Sequence, residues 1–301
     1  MEGYNGTWEK SGRSLSAAAL AGLLGIGIIY FYGQSILAVA AVFSSRALRD
    51  PPREAYGVLE ALARSAEVTK TPLRISLTVS QFALILLPTL WLVRHWHTPD
   101  VRSYLRLRSC SLSQVTLAVA TAVLFFPFNV YISGLLTQML NIPKEFATIG
   151  QQIFTATSGG EFIFLVFVVA VTPALCEEVL FRGYAQRTFE RVLGWKSVII
   201  VGILFGLYHM QPLGLFSLSG LGLIFGFLFF ASRSILPGMV AHFTNNFLVV
   251  LSLFLSANGQ TGPLGAGQVS LALVGISLPC SGAALYLFYR LSEQSRLSPA
   301  L

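Results

Sequence analysis

Glu177 and Glu178 stand side by side in "FIFLVFVVAVTPALCEEVLFRGY", a run so apolar that a lipid-facing helix would carry no acid there. An ionised carboxyl at membrane depth costs about 2.5 to 3.5 kcal/mol even on insertion scales, so it faces protein or a wet cavity. The apolar runs of the C-terminal half hold few other strongly polar residues: Arg182, His209, His242 and Asn246. Glu178 and Arg182 are four apart, hence on one helical face, where the guanidinium offsets a carboxylate. Glu177 lies about 100° further round the helix and escapes that pairing. His242 and Asn246, in "AHFTNNF", are also four apart, so an imidazole and an amide stack on one face and can donate to a common point. Asn245 lies about 100° from Asn246 and is expected to bond locally or to another helix.

These residue types suit amide hydrolysis, which needs a water, a base and donors for the oxyanion. Glu177 with His209 can bind and deprotonate the water, because an apolar cavity disfavours the charged carboxylate and makes it a better base. His242 and Asn246 can supply the two oxyanion donors, each worth on the order of 100- to 1000-fold in rate. Cys176 adjoins the pair but has no neighbouring base, so it is not read as a nucleophile. A metal is the rival chemistry: Glu177, His209 and His242 form a known zinc ligand set, although the H-E-x-x-H signature is missing. No cofactor is required, and zinc is the alternative.

Taken singly, each residue also reads as a helix-to-helix hydrogen bonder or half of a structural ion pair. Jointly they are unusual. His209 and His242 are the histidines within apolar runs, since His95 and His97 sit at a membrane edge in "RHWH", beside Trp91 and Trp96, which read as interface anchors.

The elements that must position these groups are membrane helices. Of 301 residues, 54% are hydrophobic and 11% charged, against about 25% charged in soluble domains, and mean hydropathy is +0.69. Apolar windows predict an all-α, polytopic transmembrane bundle of about eight spans with an intramembrane active-site cavity, near 16–40, 75–93, 112–137, 161–183, 196–211, 214–231, 235–256 and 267–289. Three organisational segments follow: 1–150 with N-terminal spans and basic loops, 151–260 as the core that holds the polar residues, and 261–301 with the last span and tail. The N-terminal run is read as a retained span, without a signal-peptide cleavage site. The three cysteines are scattered and suggest neither disulfide nor zinc spacing.

The net charge of +7 forms no basic domain, which argues against nucleic acid as a partner and for membrane topology. If all eight runs cross, thirteen Lys and Arg flank the side that carries both termini and seven flank the other, six of those in the connection 44–74. The positive-inside rule then puts both termini in the cytoplasm. A surface helix is expected at 56–66, and 256–268 reads as a Gly-rich loop. Gly202 with Gly206, and Gly222 with Gly226, are expected to permit close helix packing. Counted from a turn at Gly194, Glu177 and His209 reach similar depth, whereas His242 does not align unless "QPLG" is re-entrant or the helices tilt.

At these residues the chain resembles the CAAX-protease and bacteriocin-processing family of intramembrane proteases, also called the type II CAAX prenyl endopeptidase or Abi family. The resemblance rests on "EEVLFRG" at Glu177 to Gly183, "FGLYH" at Phe205 to His209 and "HFTNN" at His242 to Asn246, and covers about residues 160–255. It implies an eight-helix-like fold, a conical cavity open to the cytosol, and cleavage of a membrane-embedded or membrane-anchored peptide or protein. By motif match it implies water activation by Glu177 and His209, an oxyanion hole of His242 and Asn246, and supporting roles for Glu178, Arg182 and Phe205. The family has been described both as metalloproteases and as metal-independent glutamate proteases. A bacterial cytoplasmic membrane is the expected location. The rival readings are a non-catalytic bacteriocin-immunity or scaffold protein on the same fold and a proton-coupled transporter.

Overall fold

In hydrocarbon no solvent satisfies an exposed peptide N–H or C=O, so long apolar runs must close their own hydrogen bonds as helices. The computed structural model describes residues 4–44, 58–140, 153–211, 214–259 and 269–297, and no strand occurs among the described residues. Eight apolar helices follow in order: α1 (Leu15–Phe43), α2 (Thr69–His97), α3 (Leu112–Met139), α4 (Gly159–Leu193), α5 (Lys196–Tyr208), α6 (Leu215–Ser232), α7 (Leu236–Ala257) and α8 (Leu271–Gln294). All but α5 are long and apolar enough to cross a membrane. The chain is thus an all-α polytopic membrane bundle.

α5 departs from the expected span at 196–211. It has 13 residues, about 20 Å of rise against a hydrocarbon core of about 30 Å. It stops because Met210 takes a left-handed backbone, with φ of 50°, and Pro212 follows in the sequence. α5 and α6 then fold back on each other through the expected small faces. A Cβ on Gly222 would lie 2.5 Å from the Gly202 carbonyl oxygen, and one on Gly206 would lie 2.2 Å from Ser219 Oγ. Only hydrogen fits at those crossings.

Contacts define two opposite faces of the bundle. On one, Gly6 N–H donates to the His97 carbonyl at 2.8 Å, Ile235 N–H donates to the Arg106 carbonyl at 3.1 Å, and Gln114 Nε2 donates to Ser292 Oγ at 2.9 Å. Glu190, near the end of α4, accepts two 2.8 Å bonds from Arg106 and pairs with Arg233. Both arginines sit in left-handed turns, with φ of 55° and 58°, and the one carboxylate ties those turns together. Here the start of α1, the end of α2, the α4–α5 and α6–α7 turns and the end of α8 all meet. On the other face Arg74, buried in α2, donates to Glu161 at 2.5 Å, to the Ile153 carbonyl at 2.6 Å and to the Thr155 carbonyl at 2.9 Å.

One local expectation changes. The helix expected at 56–66 is the upstream part of one that begins at Val58 and runs on into α2, with 56–57 outside the described residues. His97 stands at the end of α2, the expected edge position, and there it is fully buried inside the protein, 2.7 Å from Glu9 and stacked on Tyr104. The loop expected at 256–268 lies outside the described residues from 260 onward.

Candidate active site

α4 is not a uniform α-helix. Val166–Val171 and Val179–Gln186 are π-helical turns flanking the α-helical stretch Thr172–Glu178, an irregularity common at functional sites. Pro173 accounts for part of it. A proline has no N–H to give the carbonyl four residues back, which here belongs to Val169. The Val169 carbonyl, denied that donor, accepts Asn246 Nδ2 from α7 at 2.9 Å. The proline and the asparagine thus solve one hydrogen-bonding problem together.

The two adjacent carboxylates meet different surroundings. Glu177 Oε1 accepts Gln81 Nε2 from α2 at 2.9 Å, and its Oε2 has no hydrogen-bond partner, lying 3.9 Å from His209 Nε2. Glu178 Oε1 accepts both Arg182 Nη1 at 2.8 Å and His242 Nδ1 at 2.9 Å. Its side chain is fully buried, whereas that of Glu177 retains 12% exposure. Arg182, also fully buried, reaches the Gly222 carbonyl at 3.0 Å. Its guanidinium carbon lies 4.6 Å from the centre of the Phe205 ring. The expected Glu178–Arg182 pair is present, but it does not account for Glu178 alone, because the same oxygen also holds His242.

The direct His242 contact also resolves the depth problem. Gly194 is the wrong reference level for α7, since Arg106 and Arg233 bind its start to Glu190. Phe225 of α6 stacks on the His242 ring at 5.0 Å.

Hydrogen-bond partners decide which ring nitrogens carry protons. His209 Nδ1 is 2.7 Å from the Phe205 carbonyl, which can only accept, so Nδ1 is the protonated atom and Nε2 of the neutral ring is an acceptor. His242 Nδ1 faces a carboxylate and likewise donates, so its Nε2 can donate only from the imidazolium form. Asn246 is oriented by a relay in which Asn129 donates to Asn245 and Asn245 donates to Asn246 Oδ1, each at 3.0 Å. One N–H of Asn246 remains beyond its bond to Val169. Asn245 thus bonds both locally and to α3, as its position predicted.

Glu177, His209, His242, Asn246 and Gln81 line one cavity of about 180 Å³, walled otherwise by side chains such as Leu77, Phe154, Val168 and Leu221. The volume admits several waters. Glu178 and Arg182 lie behind its wall. Phe205 lines the cavity and sets its ring edge-on to His209, at 4.8 Å between centroids, and to His242, at 5.8 Å. Cys176 is buried and does not line it. Among the described residues no three His, Cys, Asp or Glu side chains are grouped as metal ligands. Gln81 was not legible as a site residue. The available signal was a lone amide in the apolar run "TVSQFALILLPTL".

Residues 159–248 match the family model described as Rce1-like, type II CAAX prenyl endopeptidase. The resemblance carried by the three motifs therefore holds over that segment, which contains all of them. No curated protein and no solved structure matches the chain.

Proposed function

We propose that the protein is an intramembrane endopeptidase that cleaves a membrane-associated polypeptide with water activated by Glu177 and His209. The endopeptidase class follows the family match. The observation that carries the mechanism is the 3.9 Å separation of Glu177 Oε2 and His209 Nε2, two acceptors on one cavity. A water oxygen about 2.8 Å from each would see them at roughly 90°, near the angle between its own O–H bonds. Both protons are then directed to the protein, and a lone pair is free for a carbonyl carbon.

Glu177 takes one proton as that water attacks, and the amide carbonyl becomes a tetrahedral oxyanion. The free N–H of Asn246 and Nε2–H of the His242 imidazolium are its donors, the latter held by the Glu178 carboxylate. Glu177 then returns its proton to the departing nitrogen, so that water and one amide give a carboxylic acid and an amine. Gln81 acts as a positioning residue: by engaging Oε1 it leaves Oε2 for the water. No step runs through a metal.

Comparative membrane peptidomics of cells that make the wild-type chain or Glu177→Gln tests the reading. Peptides that accumulate uncleaved only in the variant are expected, and they identify the substrate. Identical peptidomes from equally folded proteins would overturn it. Stoichiometric bound zinc that disappears in both His209→Ala and His242→Ala would make the histidines ligands and remove the oxyanion role from His242.

A further inference from the structure

The cavity and the arginine-rich face lie on opposite sides of Glu178. On α4 the lining residues Val168, Val169 and Pro173 all precede Glu177, away from the end of the helix that carries Glu190. On α2, Leu77 and Gln81 lie in the half nearer Thr69, and Phe154 stands just before α4 on the Arg74 side. Towards the arginine-rich face the polar groups close on each other: Arg182 on the Gly222 carbonyl, Gln186 on the Gly226 carbonyl and Tyr104 on Thr188. Phe225, between Gly222 and Gly226, is the lining residue that reaches that packing, and the others lie on the mouth side of it or at the level of the two glutamates.

Helix lengths explain where the mouth is. α5 has 13 residues and α6 has 18, against 28 in α3 and 35 in α4. At about 1.5 Å per residue the α5–α6 hairpin falls roughly 15 Å or more short of its long neighbours. Its tip, with His209, is on the cavity side. The recess above it is the way in, and Met210 at the tip is 64% exposed.

Charge assigns the two sides. Lys10, Arg13, Arg94, Arg102, Arg108, Lys196 and Arg290 are all exposed on the face opposite the mouth, spread over the N-terminal tail, the last turns of α2 and α8 and two connections. On the mouth side Lys70 and Arg74 both pair with Glu161. The three arginines of the connection 45–57, with Arg64 and Lys144, are the charges that oppose this assignment, and the acids Asp50, Glu54, Glu60, Glu67, Glu145 and the paired Glu161 accompany them in the sequence. Cytoplasmic termini and a cytosolic mouth cannot both hold in this fold.

We infer that the arginine-rich face is cytoplasmic and that the cavity admits its substrate from the opposite, non-cytoplasmic side of the membrane. The substrate class is then a membrane-anchored or membrane-spanning polypeptide whose scissile bond lies near the outer leaflet, flanked by apolar residues that suit Leu77, Phe154 and Leu218. The class of substrate rests on the proposed endopeptidase reading. The side rests on geometry and charge alone.

Thiol labelling of the full chain, with Cys110, Cys176 and Cys280 changed to Ser, tests the side. A single cysteine is introduced at Gly160, exposed on the mouth side with open space about its Cβ, or at Ser109, exposed on the other face. A membrane-impermeant maleimide should label Gly160→Cys in intact cells and Ser109→Cys only in inside-out vesicles, with at least a tenfold difference in rate for each. The reverse pattern, or labelling of both positions from both sides, overturns the inference. Peptidomics with Glu177→Gln reads catalysis independently. Reversed labelling with cleavage retained refutes only the side, and expected labelling without cleavage refutes only the protease.

Discussion

Glu177 and Glu190 are the same residue type on the same helix, and the molecule treats them in opposite ways. Glu190 has both oxygens filled by Arg106 and a third contact from Arg233, and nothing about it is left over for chemistry. Glu177 has one oxygen held by a neutral amide and the other unpartnered beside an imidazole acceptor. A buried carboxylate that is fully paired organises the chain around it. One that is oriented and half satisfied retains the capacity to bind and move a proton.

The contrast can be broken by exchanging what each carboxylate can do. Glu177→Gln is expected to lower peptide hydrolysis by about 10²- to 10⁴-fold with little change in thermal unfolding of the solubilised protein. A variant that hydrolyses at near wild-type rates would show that the two glutamates do not differ in this way. Asn246→Ala should lower kcat by on the order of 10²- to 10³-fold with a much smaller change in KM, because the proposed mechanism gives its second N–H to the oxyanion. Glu190→Gln should do the reverse. It leaves two arginines without their counter-charge and should cost roughly 3 to 5 kcal/mol of stability, read as a lowered midpoint of unfolding. Hydrolysis per folded molecule should persist.

Gln81→Ala sharpens the comparison, since it frees Glu177 Oε1 without touching the cavity's other polar groups. A fall in kcat of about tenfold, equivalent to about 1.4 kcal/mol, is expected with KM nearly unchanged and with partial recovery in Gln81→Asn. An equal fall in stability, with kcat intact, would make Gln81 merely structural.

The smallest effect concerns Glu9, clasped by Arg191 and His97 on the arginine-rich face. Burial alone would raise its carboxyl, but the contacts from Arg191 and His97 prevail and hold it below the usual value of 4.5. A lowered folded value means that the stabilisation is fully present above about pH 4.5 and is lost as the pH falls through the folded value. The stability difference between wild type and Glu9→Gln should therefore be constant near neutrality and shrink on acidification. A difference that grows with acid would contradict the clasp.

Much of this protein is legible in the chain itself. Hydrophobic length dictates helices, because the bilayer leaves a peptide group no other partner, and seven of the eight windows meet the length and hydropathy of a span. Spacing of four places Glu178 against Arg182 and the Phe205 carbonyl against His209, since both are properties of a single helix. Glycine spacing likewise anticipates the α5–α6 crossing, where absence of a side chain is the whole requirement. The three motifs in order pointed to the family that the 159–248 match supports.

What tertiary structure alone decided lies between helices. The depth of His242 depends on Glu190 joining two distant turns, and Gln81 reaches Glu177 across 96 positions of sequence. Pro173 withholds a donor from the Val169 carbonyl on its own helix, yet only packing brings Asn246 to it. Neither periodicity nor spacing encodes such meetings, because hydrogen bonds between helices are set by their relative rotation, tilt and pitch. The π turns on either side of Thr172–Glu178 alter that rotation within the very helix that carries both glutamates.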